Sequence, residues 1–155
     1  MNLFILRHGE AESLYFKGGA SKDSQRQLTE RGRREVAAVI ERHQTELQTV
    51  TNIFASPYVR AQQTAQIVAQ ALGQAKLDTL NVITPNHSTT DVMKFLVKQD
   101  ENDTILLVSH QPLVSAIIAD LCETPQHQIR MHTAALASIS LQPVASGMGQ
   151  LNFID

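Results

Sequence analysis

Two short runs constrain this chain more than any other part of it. Residues 2–6 and 104–108 are almost wholly apolar, and each leads into a polar residue followed by histidine: Arg7-His8 after the first, Ser109-His110 after the second. A strand that is apolar on both sides is one covered on both sides, as in the parallel sheet of an α/β domain. Around them, helical periodicity alternates with strand patterns. Thr29 is a suitable N-cap for a first helix, whose stripe of Val36, Val39, Ile40, His43 and Leu47 makes His43 a packed residue. A short strand over 53–55 precedes a second helix with Ser56 as N-cap and Pro57 at N1, ending at Gly73. The stretch 77–82 reads as a strand and 90–97 as a helix. Pro112 opens a further helix bearing Leu113, Ile117, Ile118 and Leu121, and 135–141 and 150–154 read as closing strands. This alternation predicts a three-layer α/β/α sandwich.

Length and composition narrow the function classes. At 155 residues, without a Pro/Gly/Ser-rich linker or internal repeat, the chain is expected to form one domain over 1–155. A formal charge of −2, from 13 basic and 15 acidic residues, gives no strong pull toward nucleic acid or an anionic membrane. The single cysteine, Cys122, lies in an apolar helical pattern and reads as a small core residue. No leader pattern precedes the first strand, and no run approaches the ~20 apolar residues of a membrane span. A soluble cytoplasmic protein, monomeric, is the expectation.

The chemistry concentrates at strand ends. Arg7-His8-Gly9 can hold an imidazole against a phosphate, with Gly9 permitting close backbone approach. Arg60 falls in the first turn of the second helix, where backbone N–H groups and the macrodipole already favour an anion. His110 ends the second apolar run. In open α/β sheets the ligand crevice lies outside the carboxyl ends of the strands, so these groups can converge.

Arg7-His8-Gly9-Glu10, Asp23 to Arg26 leading into Leu28-Thr29-x-x-Gly32, Ser56-Pro57-x-x-Arg60-Ala61-x-Gln63-Thr64 and Ser109-His110-x-Pro112 together resemble the histidine phosphatase superfamily, and within it the small SixA-type phosphohistidine phosphatases. The resemblance covers nearly the whole chain in the family's order. It implies a phosphoglycerate mutase-like fold, with a mixed, mostly parallel six-stranded sheet containing one antiparallel strand. It further implies hydrolysis through a phosphohistidine intermediate, without metal or other cofactor, on a phosphorylated histidine phosphotransfer domain. His8 would be the nucleophile, Arg7 and Arg60 bidentate donors to the equatorial oxygens, and His110, if protonated, a further cation. Arg26 is either a third phosphate contact or a solvent-exposed loop arginine, and Gln111 is a candidate of the same kind.

Several residues carry less. His87 and His132 read as surface histidines, and His127 has no partner pattern. The loop Tyr15 to Lys22 is either solvated or touches a protein substrate. Many relatives place an asparagine a few residues beyond the RHG motif and an acidic proton donor in an insertion after the third strand. Here Leu14 takes the first position, the segment 82–88 has no carboxylate, and Asp91 reads as an early-turn helix charge. A small-molecule phosphomonoesterase and a noncatalytic phosphoprotein-binding module are the rival functions; neither GxGxxG nor GxxxxGK[ST] supports a nucleotide site.

Overall fold

The computed structural model describes residues 1–15 and 22–155, so most of the Tyr15 to Lys22 loop lies outside the described residues. Its strands are β1 (Asn2–Arg7), β2 (Asn52–Ala55), β3 (Lys76–Thr79), β4 (Thr104–Ser109), β5 (Leu136–Leu141) and β6 (Gly149–Ile154). They form one six-stranded sheet in the order β3-β2-β4-β1-β5-β6. The pairings of β1 with β4, β4 with β2 and β2 with β3 are parallel, while β5 is antiparallel to both β1 and β6. The sheet is therefore mixed and mostly parallel, with β5 running against the rest.

Alternation along β1 divides the core into two layers. Leu3 and Ile5 pack toward α4 (Thr89–Leu96) and α5 (Leu113–Leu121), while Phe4 and Leu6 pack toward α1 (Glu30–Arg42) and α3 (Val59–Leu72). Each fully buried Leu or Ile in these layers contributes about 1.5–3 kcal/mol relative to exposure, which is why both faces of the central strands are apolar. A single turn, α2 (Gln44–Leu47), follows α1. His43, at the junction, stacks on Phe153 with ring centroids 4.6 Å apart, the packed role its stripe position implied. Cys122 is half-buried against the core at the end of α5. Among the described residues no helix is long and apolar enough to cross a membrane.

Helix α1 is capped as expected: the Thr29 hydroxyl accepts from Gly32 N at 3.0 Å. Its first turn lies directly on the loop after β1. A Cβ on Gly9 would sit 2.5 Å from the Gly32 carbonyl oxygen, and one on Gly32 would collide with the Glu10 backbone. The two glycines thus permit an approach that no other residue would.

Two of the boundaries that differ from the sequence expectation lie near the crevice. Helix α3 starts at Val59 rather than Pro57, because Tyr58 is extended (φ −70°, ψ 138°), and the Ser56 side chain does not cap it. Strand β3 stops at Thr79 because its partner β2 is only four residues long; residues 81–83 then form a 3₁₀ turn that buries Ile83.

From β1 the chain passes over to β2 and β3 before returning to β4, which lies between β2 and β1. The carboxyl ends of β1, β2 and β4 consequently lie side by side. They deliver His8, Ser56 and His110 to one crevice.

Candidate active site

His8 is fixed from both sides of its backbone: its N–H donates to Ser109 O at 3.0 Å and its carbonyl accepts from Ala134 N at 3.1 Å. Its ring is 2.7 Å from the Gly9 carbonyl through Nδ1, and its Nε2 is 3.0 Å from Nε of Arg60. A carbonyl can only accept and a guanidinium Nε–H can only donate. Nδ1 therefore carries the proton and Nε2 holds the lone pair, the tautomer a nucleophile at Nε2 requires.

Each nitrogen of the Arg60 guanidinium has a protein acceptor. Besides His8, NH1 donates to the Asp23 carbonyl at 2.7 Å and NH2 to Asp23 Oδ2 at 3.1 Å, with the arginine side chain only 3% exposed. The other carboxylate oxygen of Asp23 accepts from Arg26 Nε at 2.8 Å, and Arg26 also donates to the Glu12 carbonyl at 3.0 Å. Thr64 pins this arrangement to the loop after β1: its buried hydroxyl donates to Arg60 O at 2.8 Å and accepts from Gly9 N at 3.3 Å. Arg7, the last residue of β1, donates through Nη1 to Met131 O at 2.9 Å.

His110 is 1% exposed, with its ring centroid 5.0 Å from those of both His8 and Tyr58. Its Nε2 is 2.7 Å from Ser56 Oγ, which also accepts from Tyr58 N at 3.4 Å. The Ser56 oxygen has a second lone pair and a proton of its own, so it can pair with either tautomer of His110. Among the described residues, Nδ1 of His110 and Nε of Arg7 are buried and have no hydrogen-bond partner. The His110 ring lies 5.0 Å from that of His8 and the Arg7 charge acts on His8, so these unpaired atoms belong to its surroundings.

This geometry coincides with similarity to known proteins. The family model for the histidine phosphatase superfamily (branch 1) matches residues 3–83. Over 132 residues the chain is 37% identical to a phosphohistidine phosphatase SixA homolog of Haemophilus influenzae, covering 78% of this chain and 77% of that protein. It is 31% identical over 158 residues to phosphohistidine phosphatase SixA of Escherichia coli, with 99% and 92% covered. The structure of the protein histidine phosphatase SixA complexed with tungstate aligns at a TM-score of 0.85 and 30% identity, over 99% of this chain and 96% of that one.

The chain belongs to the histidine phosphatase superfamily. In this member of that hydrolase family, the structure brings His8, Arg60, His110 and Arg26 together, with Arg7 acting on His8 through its charge, and Arg26 is half-buried and bonded to Asp23 and Glu12. The remaining candidates direct their donors to protein. Gly9 N goes to Thr64, and the Gln111 amide goes to Ser115 Oγ at 2.6 Å and to Met131 O at 3.3 Å. His87, His127 and His132 are exposed, His132 lining a groove beside Arg7. Asp91 lies in the first turn of α4, where its N–H donates to Oγ of the N-cap Ser88 and its carboxylate accepts from that hydroxyl.

Two residues of the histidine phosphatase site were misjudged from sequence. Ser56 reads as a helix cap and in fact holds His110; Asp23 enters only as the start of a motif and in fact bridges Arg60 and Arg26. His110 is 54 residues from Ser56 and Arg60 is 37 from Asp23, so no local pattern reports these two contacts.

Burial governs the charge state of both histidines. It is the largest cause pushing His8 down to about 4, with Arg60, Arg7 and Arg26 adding to it and the Gly9 carbonyl opposing it. His110 is pushed down to about 2, by burial first and then by His8 and the arginines. Burial thus favours the neutral form of both rings at pH 7. Because these folded-state values lie below the unfolded value of about 6.5, the unfolded chain takes up protons first as pH falls. Stability is fully present above pH 6.5 and should decline toward pH 5, by up to about 1.4 kcal/mol per pH unit for each histidine. The depressed carboxylates Asp23, Asp91 and Asp155 act only below about pH 4, outside this window. Urea midpoints at pH 7, 6 and 5 should fall in the wild type and flatten in a His8→Asn/His110→Asn double variant. An unchanged slope in the variant would contradict the assignment.

Proposed function

We propose that this protein is a protein phosphohistidine phosphatase whose substrate is a phosphorylated histidine phosphotransfer domain of a signalling relay. The relatives carrying that activity in their names support the substrate class. The observation that carries the reading is the state of the one carboxylate bonded to the cluster among the described residues. Asp23 is held ionised by Arg60 and Arg26, whose hydrogen bonds and charges outweigh its partial burial. It has no proton to give to a departing alkoxide, which an alkyl phosphate would need. Phosphohistidine needs no such donor: its second ring nitrogen can be protonated from solvent, and a neutral imidazole leaves.

In the first step the His8 Nε2 lone pair attacks phosphorus, the P–N bond of the substrate breaks, and its electron pair stays with the departing imidazole. Arg60 transfers its Nε–H from Nε2 to the incoming oxygens, uncovering the nucleophile. Arg7, Arg26 and His110, the last in the tautomer with its proton on Nδ1, complete the set of donors to the equatorial oxygens. In the second step water attacks the phosphoryl-His8, releasing inorganic phosphate and returning His8 to its neutral tautomer. The guanidinium groups supply the charge that a metal ion supplies in other phosphatases. Gly9 and Gln111 act by position: Gly9 through its carbonyl on His8, Gln111 by sharing the Met131 carbonyl with Arg7.

The test is phosphate release from a phosphorylated histidine phosphotransfer domain, with sugar and nucleotide phosphates as controls. Release from the domain is expected. Hydrolysis of a small ester without release from the domain would establish a phosphomonoesterase, and binding without turnover a recognition module.

A further inference from the structure

We propose that Asp23 is a stand-in for the phosphoryl group: its carboxylate holds Arg60 and Arg26 until substrate displaces it, and so sets how weakly the site retains inorganic phosphate. The proposal rests on the phosphoryl-transfer reading above and adds a residue that governs ligand selectivity.

The geometry is that of a bound oxyanion made from the protein's own chain. One carboxylate oxygen takes Arg60 NH2 at 3.1 Å, the other takes Arg26 Nε at 2.8 Å, and the Asp23 carbonyl takes Arg60 NH1 at 2.7 Å. With Nε on His8, three of the five N–H groups of the Arg60 guanidinium are committed. A phosphoryl group can gain these donors only by exchange, and the same exchange lifts Arg60 off the His8 lone pair. Access to the nucleophile and occupation of the arginines are thereby one event.

The two partners differ in their freedom to move. Arg60 is 3% exposed and anchored on α3, whereas the Asp23 side chain is 44% exposed on a single 3₁₀ turn, Asp23–Gln25. Exchange therefore moves Asp23 outward into water, where a carboxylate is well solvated. A tethered carboxylate competes at a high effective concentration. Inorganic phosphate, which brings no other contacts, suffers most from that competition, while a phosphorylated protein brings additional surface. The carboxylate thus favours departure of the product over departure of the substrate.

The Asp23→Asn variant removes the charge and keeps the shape at a half-exposed position, so the fold is retained. Titration with inorganic phosphate at constant ionic strength, followed calorimetrically, should give a Kd about tenfold lower in the variant than in the wild type, the size of one charge-assisted contact relieved. Product inhibition of turnover should strengthen by the same factor. A residue that merely organised the arginines would show the opposite, so an equal or weaker affinity in the variant overturns the proposal. The outcome is separable from the reading it rests on: absence of phosphohistidine turnover by the wild type would reject the proposed substrate, while the ratio of phosphate Kd values would still decide the role of Asp23.

Discussion

The His8→Ala protein is expected to lose turnover by at least about 10⁴-fold, since removal of a covalent nucleophile leaves only binding and charge stabilisation behind. The structure gives a specific reason to expect His8 rather than His110 in this role. Both of its ring nitrogens have partners whose chemistry dictates the tautomer, with the lone pair at Nε2 facing the Arg60 guanidinium. Brief reaction with a substrate carrying labelled phosphorus, followed by a rapid alkaline quench, should leave label on the wild-type chain and none on the variant. Phosphoramidates survive base and are lost in acid, so acid treatment should release that label. Equal labelling of the His8→Ala chain would remove His8 from the chemistry.

The second large effect is expected at Arg60. Losing one preorganised donor to the transition-state oxygens typically costs on the order of 3 kcal/mol, or about a hundredfold in kcat/KM. Arg60→Ala should lose at least that much, because the same guanidinium also orients Nε2 of His8. Arg60→Lys should recover little of it, since a single ammonium cannot reproduce a planar set of donors directed at once toward His8 and Asp23. A cooperative unfolding transition should persist in both variants, because the two core layers are built without this side chain. A folded Arg60→Ala protein with a near-normal rate would exclude this arginine from the site.

Much of this architecture is legible in the sequence because it obeys local rules. The runs at β1 and β4 are apolar on both faces, and such strands belong in the middle of a parallel sheet. Thr29 and Gly73 mark helix ends through side-chain and backbone chemistry that acts within one turn. The strand ends carrying His8 and His110 follow directly, and Arg60 falls in the first turn of α3 even though that helix starts later than expected. What escapes the sequence is of another kind. Ser-Pro ahead of a helix satisfies every local criterion for an N-cap, yet the Ser56 hydroxyl is taken by His110, 54 residues away. Asp23 reaches Arg60 across 37 residues. Such pairings are set by the order of strands in the sheet, which places the ends of β1, β2 and β4 together. The charge of His110 was equally out of reach, because it depends on burial to 1% exposure among three arginines.

The central proposal is that this site cleaves a P–N bond to imidazole and, among the described residues, has no carboxylic acid placed to protonate an alkoxide. It is tested most directly by kcat/KM for a phosphohistidine protein, an aryl phosphate with an acidic phenol, and a simple sugar phosphate, all measured on one enzyme preparation. Imidazole, whose conjugate acid has a pKa of about 6.5, leaves unaided. The account predicts that the phosphohistidine protein is preferred over the sugar phosphate by orders of magnitude, with the aryl phosphate in between. Equal kcat/KM for the sugar phosphate and the phosphohistidine protein would contradict it.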